Sequence, residues 1–350
     1  MAKIVMVTGI SGSGSKEFCE KYRQSRERVR IYNTGDMMRA IAEDALNRQI
    51  PAENFLNLHR DTLNFARYSA FGEIISNLER DRKNYDRIVV DTHTMFLWNS
   101  VYQRAYNWDL HNKIPTDMFV TIIDKPSAIR ERQLQNVVGR TQEHSLRDIL
   151  LWMQQEVETT GAIAEMYGKP HYIFSSKQNP QNVDSLLDNR ILIYPSFPMT
   201  DANAETTQKI VDFKNELRGL RRKVLGNPDE WDIPLLDPAD IDVETGEGLS
   251  ESDRDAIGRH TVKRDLDWDI GTATHVISYY PNETTNLSAG VTHEYVEALK
   301  TGKDVYVICP RKRRSPFLDK NSIKFFETKE EFMAFFEKKI VEDLERFRRR

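Results

Sequence analysis

The amino-acid sequence predicts an α/β protein with two domains, each built on a parallel sheet covered by helices. Its 350 residues exceed the length of one typical domain. Short apolar segments alternate with helical ones through the first half, which is the pattern of a parallel sheet. A polar stretch at 175–189 breaks this alternation, and a new strand begins at 190–198. We therefore place the domains at 1–185 and 190–350.

The composition is that of a globular protein, with 39% hydrophobic and 30% charged residues. Since no apolar run approaches the roughly 18 residues of a membrane span and no secretory signal is present, we expect a cytoplasmic protein without a membrane partner. The net charge of −4 gives no reason to expect nucleic-acid binding. Cys19 and Cys309 lie far apart outside any C-x-x-C pair, so buried reduced thiols are expected.

The strands of the first half are predicted from short apolar runs rich in β-branched residues. They fall at 3–8, 87–94, 118–124 and 171–176, with helices at 17–28, 56–82 and 145–167. The second half repeats this alternation without repeating the sequence. Its strands are predicted at 190–198, 275–280 and 304–310, and its helices at 203–223, 253–269 and 293–302, with an acidic loop at 226–252.

A glycine loop, GISGSGSK, directly follows the first strand and precedes a helix. Glycines allow backbone N–H groups to approach phosphate oxygens, and a helix N-terminus adds partial positive charge. In this context the loop predicts nucleotide binding; the alternative is a glycine-rich turn without a ligand. The predicted ligands in the loop are Gly9, Gly12, Ser13, Gly14, Ser15 and Lys16.

The last two residues of the loop stand in an unusual order. In a P-loop the lysine follows the last glycine and reaches the β- and γ-phosphates, and the next hydroxyl binds Mg²⁺. Here Ser15 takes the lysine position and Lys16 the hydroxyl position. Neighbouring residues on a helix differ by about 100° in direction, so Lys16 does not simply replace its neighbour. We predict nucleotide binding with weak or absent phosphoryl transfer.

The first half resembles the archaeal-type adenylate kinases, which are P-loop nucleoside monophosphate kinases, over about residues 1–180. The matching segments are NTGDMMRAIAEDA (33–45), VVDTHT (89–94) and IRERQLQNVVGRTQEHSLRDI (129–149). The resemblance implies an acceptor-nucleotide segment, a strand beside the phosphates and an arginine-rich lid over ATP. ATP or another nucleotide with Mg²⁺ is therefore the expected cofactor of this domain.

Arginines and one aspartate are the further candidate ligands that this resemblance implies. A planar guanidinium binds phosphate oxygens with paired hydrogen bonds, although arginines on exposed helices are equally often solvated. Asp91 is the candidate Mg²⁺ ligand, directly or through water; the alternative is a strand-end aspartate that caps the next segment. The candidate phosphate ligands are Arg39, Arg60, Arg132 and Arg140.

The second half carries a candidate glycosidic site in two motifs, RDLDW (264–268) and SAGVTHE (288–294). Breaking an N-glycosidic bond builds positive charge on the sugar carbon, which a carboxylate such as Glu294 stabilises or captures covalently. Ser288 and Gly290 open the helix and can offer hydroxyl and N–H groups to a phosphate. Asp265 is the candidate second carboxylate, to orient the sugar or handle a proton. Plain helix-surface charge is the alternative for both acids.

These motifs resemble the nucleoside 2-deoxyribosyltransferase superfamily over about residues 190–335, and within it the 2'-deoxynucleoside 5'-phosphate N-hydrolases. The resemblance implies a Rossmann-like, flavodoxin-like domain that needs no cofactor for the cleavage and shares active sites in a homodimer or higher oligomer. The segment ILIYPSFPMTD (191–201) is similar to the first strand and ligand loop, with Tyr194 near the sugar or nucleophile and Ser196 in the substrate loop. Many members have Ala-Asp where this chain has Ala273-Thr274, which bears on how the base is held.

Together the two halves predict a nucleotide-processing enzyme. A kinase-like nucleotide-binding domain precedes a domain that cleaves the N-glycosidic bond of a nucleoside or deoxynucleoside 5'-monophosphate through Glu294. Hydrolysis is slightly favoured over base exchange. The remaining alternatives are an active nucleoside monophosphate kinase and a non-catalytic nucleotide sensor or nucleotide-depleting effector.

Overall fold

A computed structural model describes residues 1–135, 143–188, 191–198, 203–241, 249–282, 288–310 and 324–348. The chain divides into two compact units. The first comprises Met1–Pro180 with Val243–Gly258, and the second Gln181–Asp242 with Arg259–Arg350. Each described unit is an α/β structure with a parallel sheet. Among the described helices, none combines the length and apolar character that a bilayer span requires.

The first unit is built on a five-stranded parallel sheet with the order β2-β3-β1-β6-β7. The central strand β1 pairs with β3 on one side and β6 on the other, and all but its first residue are buried, as expected for a sheet covered on both faces. The strands are β1 Lys3–Thr8, β2 Val29–Asn33, β3 Arg87–Thr92, β6 Met118–Ile123 and β7 His171–Ser175, with an antiparallel hairpin of β4 Met95–Trp98 and β5 Val101–Arg104.

Helices connect these strands, so the carboxyl ends of all five strands meet at one edge of the sheet. Side-chain caps fix several helix starts: Asn33 accepts from the Asp36 N–H, and Ser145 and Asp148 form a capping box. The helices are α1 Ser15–Ser25, α2 Thr34–Leu46, α3 Arg60–Asn84, α4 Trp108–His111, α5 Pro126–Gln135 and α6 Leu146–Met166, with a 3₁₀ turn at Ala52–Asn57.

The four strands predicted for this half are confirmed, with ends within two residues of those expected. Helix α1 ends at Ser25, earlier than predicted, because the chain turns at Arg28, which has a φ of 58°, and enters β2. That edge strand and the hairpin were not predicted. Helix α3 begins four residues later than predicted, after the 3₁₀ turn.

The second unit contains a four-stranded parallel sheet with the order β8-β9-β10-β11. At the free edge of β8, Ile193 also forms a parallel bridge with Leu235. With Leu235 included, five segments are paired, and along the chain they are β8, Leu235, β9, β10 and β11. Across the sheet they therefore lie in the order second, first, third, fourth, fifth. The strands are β8 Ile193–Ser196, β9 His275–Tyr279, β10 Asp304–Ile308 and β11 Lys324–Phe326.

Two faces of this second sheet differ in character. One face packs Ile193, Ile277 and Ile308 against aromatic side chains such as Phe213 and Phe336 in a buried apolar core. The other face carries Tyr194 and Ser196 of β8 beside the buried apolar Val276 and Val305. The helices of this half of the chain are α7 Asn182–Asp188, α8 Ala204–Leu225, α9 Glu251–Lys263, α10 Ala289–Lys300 and α11 Lys329–Arg348, with a 3₁₀ turn at Pro238–Ile241 and a π-helical turn at Arg264–Ile270. The part of α9 up to Gly258 belongs to the first unit.

The predicted strands of this half are present, and the predicted helix at 253–269 proves to be α9 followed by the π-helical turn. Helix α10 begins at Ala289, earlier than the predicted 293, with Ser288 as its N-cap residue. Strand β11 and helix α11 were not predicted. The earlier start of α10 places the SAGVTHE motif on the first turns of a helix.

Candidate functional site

The glycine loop forms the tight connection between β1 and α1. Gly12 and Gly14 have φ values of 85° and 94°, in the left-handed region that favours glycine. A Cβ atom on Gly12 would lie 3.0 Å from the Ile129 carbonyl oxygen, and one on Gly14 would lie 3.1 Å from Ser176 Cβ. The loop closes with a hydrogen bond of 2.9 Å from the Ser13 N–H to the Ile10 carbonyl. Conformation and space therefore both favour glycine at these two positions.

Helix α5 holds the outside of this loop. Arg132 donates through Nε to the Gly12 carbonyl at 2.6 Å and through Nη2 to Asp124 Oδ2 at 2.6 Å. Gln133 Nε2 donates to the Ser11 carbonyl at 2.6 Å. The predicted ligand Arg132 thus lies beside the glycine loop, where its guanidinium binds protein oxygens.

A cleft of 460 Å³ opens over the glycine loop and reaches the ends of β2 and β3. A second cleft of 910 Å³ runs along α1 and β2, and the two share Lys16, Glu17, Asn33 and Asp91. Both volumes lie in the range of small-molecule sites, about 300–1,000 Å³. The first is lined by Ile10, Ser11, Gly12, Gly14, Ser15, Lys16, Glu17, Asn33, Thr34, Gly35, Asp91, Thr92, His93, Arg132 and Gln135.

The exchanged pair at the end of the loop has a definite arrangement. Lys16 Nζ lies 2.7 Å from Asp36 Oδ2, and both side chains are more than half exposed. The Ser15 hydroxyl instead hydrogen-bonds to Asp91, which also accepts from Asn33 Nδ2 at 2.7 Å. Burial raises the pKa of Asp91 to about 6, and the hydrogen bonds from Ser15 and Asn33 oppose that rise.

A hydroxyl and a carboxylate at this place fit Mg²⁺. P-loop proteins hold Mg²⁺ through a loop hydroxyl and a strand-end aspartate, with water and phosphate oxygens completing the shell. Ser15, at the position of the usual lysine, and Asp91 are the hydroxyl and the carboxylate that lie together here and could hold the ion. No group of three or more His, Cys, Asp or Glu side chains in the described ranges is arranged to hold a metal by itself.

Two of the other predicted phosphate ligands are not part of either cleft. Arg39 on α2 and Arg60 at the start of α3 are exposed, and neither lines the two clefts. Arg140 lies outside the described residues.

Sequence reasoning missed Glu156, a fully buried carboxyl group in α6. It accepts hydrogen bonds of 2.8 Å from the backbone N–H groups of both Thr94 and Met95, directly after β3. Burial raises its pKa to about 7, opposed by these backbone hydrogen bonds. Glu156 therefore fixes the chain that leaves β3 beside the glycine loop. Its sequence neighbours include Gln155 and Glu158, so the sequence carries no signal that singles out Glu156.

In the second unit, Glu294 on α10 meets two side chains of β8. Tyr194 Oη donates to Glu294 Oε1 at 3.0 Å, and Ser196 Oγ donates to Oε2. Tyr194 and Ser196 are buried, and their alternation along the strand puts both on the same face of the sheet. Three residues predicted as one site, about a hundred positions apart, are thus in contact.

The π-helical turn adds a charged cluster to this site. Buried Arg264 pairs with Asp265 Oδ1 at 2.7 Å, lies 3.8 Å from Asp269 Oδ2, and donates to the Ile241 carbonyl at 2.7 Å. Burial raises the pKa of Asp265 and of Asp269, and the charge of Arg264 opposes both shifts. The sequence singled out Asp265 and missed Asp269.

The acids of this cluster influence one another. Burial raises the pKa of Glu294, the hydrogen bonds from Ser196 and Tyr194 oppose the rise, and the charge of Asp265 adds to it. Burial likewise raises the pKa of Tyr194, with the charges of Glu294, Asp265 and Asp269 adding to it. Burial and the neighbouring carboxyl groups therefore both disfavour the ionised form of Glu294.

The remaining predicted residues of this unit lie at the start of α10. Ser288 is its N-cap residue, with its hydroxyl not engaged in a capping hydrogen bond, and Gly290 is exposed in the first turn. Trp268 is buried and packs edge-on against His260, with ring centroids 5.1 Å apart. His293 is exposed.

Fold and loop define the first unit as a nucleotide-binding, P-loop kinase-like domain. Residues 8–149 match the family model described as an AAA domain. No protein among the curated sequences matches the chain.

Solved structures of kinases are among those similar to this chain, at low sequence identity. Shikimate kinase from Bacteroides thetaiotaomicron is 12% identical, with a TM-score of 0.34, and the match covers 53% of this chain and 98% of that one. A sugar kinase from Janibacter sp. HTCC2649 is 14% identical, with a TM-score of 0.30, covering 53% of this chain and 93% of that one.

Proposed function

We propose that this chain is a nucleotide-processing enzyme whose second unit cleaves the N-glycosidic bond of a nucleoside 5'-monophosphate, with Glu294 as the nucleophile. One observation carries the proposal. Both oxygens of the partly buried Glu294 carboxylate are held by hydroxyl groups of β8, Tyr194 Oη and Ser196 Oγ. A carboxylate fixed in this way is oriented for attack, because its rotation is restricted before the substrate arrives.

The place of this carboxylate in the sheet supports the same function. The order of the paired segments, second-first-third-fourth-fifth, is that of flavodoxin-like sheets. Ligands of such sheets bind outside the carboxyl ends of the strands, where the order reverses. Tyr194 and Ser196 come from the first strand in this count, next to the point of reversal.

The reaction proceeds in two displacements. Glu294 attacks the anomeric carbon, a C–O bond forms as the C–N bond breaks, and the electron pair of the C–N bond goes to the base. The base takes a proton from a carboxyl group of the cluster, for which Asp265, with its raised pKa, is the candidate. Water then attacks the same carbon, returns a proton to the cluster, and releases a sugar 5-phosphate and the Glu294 carboxylate.

Ser288 and Gly290 are the candidate phosphate site. They lie at the N-terminus of α10, about one turn before Glu294, where backbone N–H groups and the helix dipole favour an anion. A phosphate there would place the sugar between the helix start and Glu294. Base exchange is the alternative outcome, in which a second base rather than water resolves the intermediate.

The test is release of free base from ribo- and deoxyribonucleoside 5'-monophosphates, followed by mass spectrometry. Wild-type protein is expected to release a base and a sugar 5-phosphate, and Glu294→Gln to lose at least about a thousandfold in rate. Glu297→Gln is the matched control, because Glu297 lies on the same helix and pairs with Lys300 at 3.1 Å. Equal rates for the two variants, or no base released by the wild type, would refute the proposal.

For the first unit we propose binding of a magnesium nucleotide with weak or absent phosphoryl transfer. The Ser15–Asp91 pair and the cleft over the glycine loop support binding. The pairing of Lys16 with Asp36 at 2.7 Å argues against a lysine that stabilises charge on the transferred phosphoryl group. The active-kinase alternative requires Lys16 to leave Asp36 and turn to the phosphates.

A further inference from the structure

Two buried hydroxyl groups at the end of β9 lie next to the Glu294 site and have no role in the reaction proposed above. Ser278 is fully buried, and Tyr280, which directly follows β9, is 3% exposed. Among the described residues neither Ser278 Oγ nor Tyr280 Oη has a hydrogen-bond partner. Buried hydroxyl groups are paired in the great majority of proteins, so an unpaired couple beside a catalytic carboxylate indicates groups kept for a ligand.

The strand register places Ser278 on the face of the sheet that carries Glu294's partners. Ser278 lies opposite Ser196 in the parallel pairing of β9 with β8, and neighbouring strands are about 4.8 Å apart. Because Ser196 donates to Glu294, the Ser278 hydroxyl is one strand away from the same carboxylate. Tyr280 follows two positions later and continues on this face.

The residues that alternate with Ser278 and Tyr280 along the chain lie on the other face of the sheet, as expected for a strand. Ile277 belongs to the apolar core, and Tyr279 packs against Phe213 with ring centroids 4.7 Å apart. The charge of Glu294 contributes to the raised pKa of Tyr280, which is dominated by burial. Ser278 and Tyr280 therefore face the carboxylate, whereas Tyr279 does not.

The chemistry of these two groups selects a hydroxyl as their ligand. Each can donate and accept, and neither carries charge, so they suit a neutral hydroxyl better than a phosphate, which favours cations or a helix N-terminus. A donor aimed at the ring oxygen of the sugar would oppose the positive charge that develops there.

The stereochemistry of nucleotides then indicates which hydroxyl. In a natural β-nucleotide the base projects from one face of the sugar, and a nucleophile displacing it approaches from the opposite face. The 2'-hydroxyl of ribose lies on that opposite face, on the carbon next to the one attacked. Hydroxyl groups beside the nucleophile therefore meet the 2'-hydroxyl rather than the base.

We propose that Ser278 and Tyr280 bind the 2'-hydroxyl of a ribose, so that the Glu294 site prefers ribonucleoside over 2'-deoxyribonucleoside 5'-monophosphates. This inference rests on the proposed glycosidic function and names its substrate class. A site built to hydrogen-bond a substrate hydroxyl discriminates strongly against the analogue that lacks it, because its own polar groups are then left unpaired.

The experiment compares kcat/KM for matched ribo and deoxy substrates, such as CMP with dCMP and AMP with dAMP. The wild type is expected to favour the ribonucleotide by at least about tenfold, and Tyr280→Phe and Ser278→Ala each to lower that ratio by about tenfold. Tyr279→Phe is the matched control, since the same atom is removed on the opposite face; its ratio should equal that of the wild type. Melting temperatures show whether each variant is folded.

The outcomes separate this inference from the function on which it rests. Glu294-dependent cleavage with a deoxy preference, or with a ratio that Tyr280→Phe leaves unchanged, overturns the ribose assignment and leaves the glycosidic function standing. If no nucleotide is cleaved, the proposed function fails. Calorimetric titration of the Glu294→Gln variant with CMP and dCMP then still tests the assignment, because equal affinities would overturn it.

Discussion

Replacing Tyr194 by Phe tests whether Glu294 acts as an ionised nucleophile. The change removes only the hydroxyl that donates to Glu294 Oε1 at 3.0 Å and keeps the fully buried ring in its packing. A hydrogen bond to a charged acceptor contributes about 1.5–3 kcal/mol. Here it favours the ionised carboxylate, since the Tyr194 hydrogen bond opposes the rise that burial causes in the pKa of Glu294.

Loss of this bond therefore raises the pKa of Glu294 further. Below that pKa only the ionised fraction reacts, so we expect the rate of Tyr194→Phe in the acid range to fall by about 10- to 100-fold, at 1.4 kcal/mol for each factor of ten. Above the pKa the carboxylate is ionised in both proteins, and the difference should become much smaller.

The assay is base release measured as kcat across the pH range, because the acid limb of kcat reports the essential carboxylate in the enzyme–substrate complex. Ser196→Ala should move the acid limb in the same direction, since Ser196 contributes the larger of the two opposing hydrogen bonds. An acid limb that stays in place in both variants, or that moves to lower pH, would show that the titrating group is not Glu294.

Two further predictions concern the glycine loop. The exchange Ser15→Lys with Lys16→Ser returns a lysine to the position after the last glycine, and we expect ATP turnover to rise by roughly 10- to 1,000-fold, measured as ADP release; an unchanged rate would contradict the explanation given for the weak transfer. Gly14→Ala, at a φ of 94° and with a Cβ 3.1 Å from Ser176 Cβ, should lower the free energy of unfolding by about 1–3 kcal/mol and weaken ATP binding. The matched control is Gly72→Ala on helix α3, where the new Cβ meets nothing within 4 Å. Thermal melts should show that this variant gains up to about 1 kcal/mol in the free energy of unfolding. A loss of stability equal to that of Gly14→Ala would contradict the prediction.

Much of the fold was predictable because buried parallel strands have a strong sequence signal. The run KIVMVT is apolar and β-branched, and it forms the central strand β1. The run VRIYN of β2 carries no such signal, since only two of its five residues are buried at the sheet edge. Strand β11 has three residues, below the length at which periodicity can be recognised.

For the candidate sites, sequence motifs predicted which residues take part, but they did not predict every contact between residues far apart in the chain. The glycine loop and the choice of Glu294, Tyr194 and Ser196 as residues of one site followed from segments that could be read singly, whereas the hydrogen bond from Ser196 to Glu294 was not predicted. The partner of Lys16 could not be read in this way, because Asp36 lies twenty residues away on another helix. The role of Ser278 depends on the register of β9 against β8, which no property of either strand specifies alone.

The exchanged Ser15–Lys16 pair separates two functions that a P-loop normally combines. A hydroxyl and a carboxylate suffice to hold Mg²⁺ beside the phosphates, and Ser15 and Asp91 provide them. Transfer of a phosphoryl group additionally needs positive charge aimed at the oxygens where negative charge develops. Lys16 directs its charge to Asp36 instead, so under the proposed function binding and turnover no longer depend on the same residues. The proposal therefore predicts a nucleotide that stays bound without being consumed, with an occupancy that follows its concentration rather than its hydrolysis.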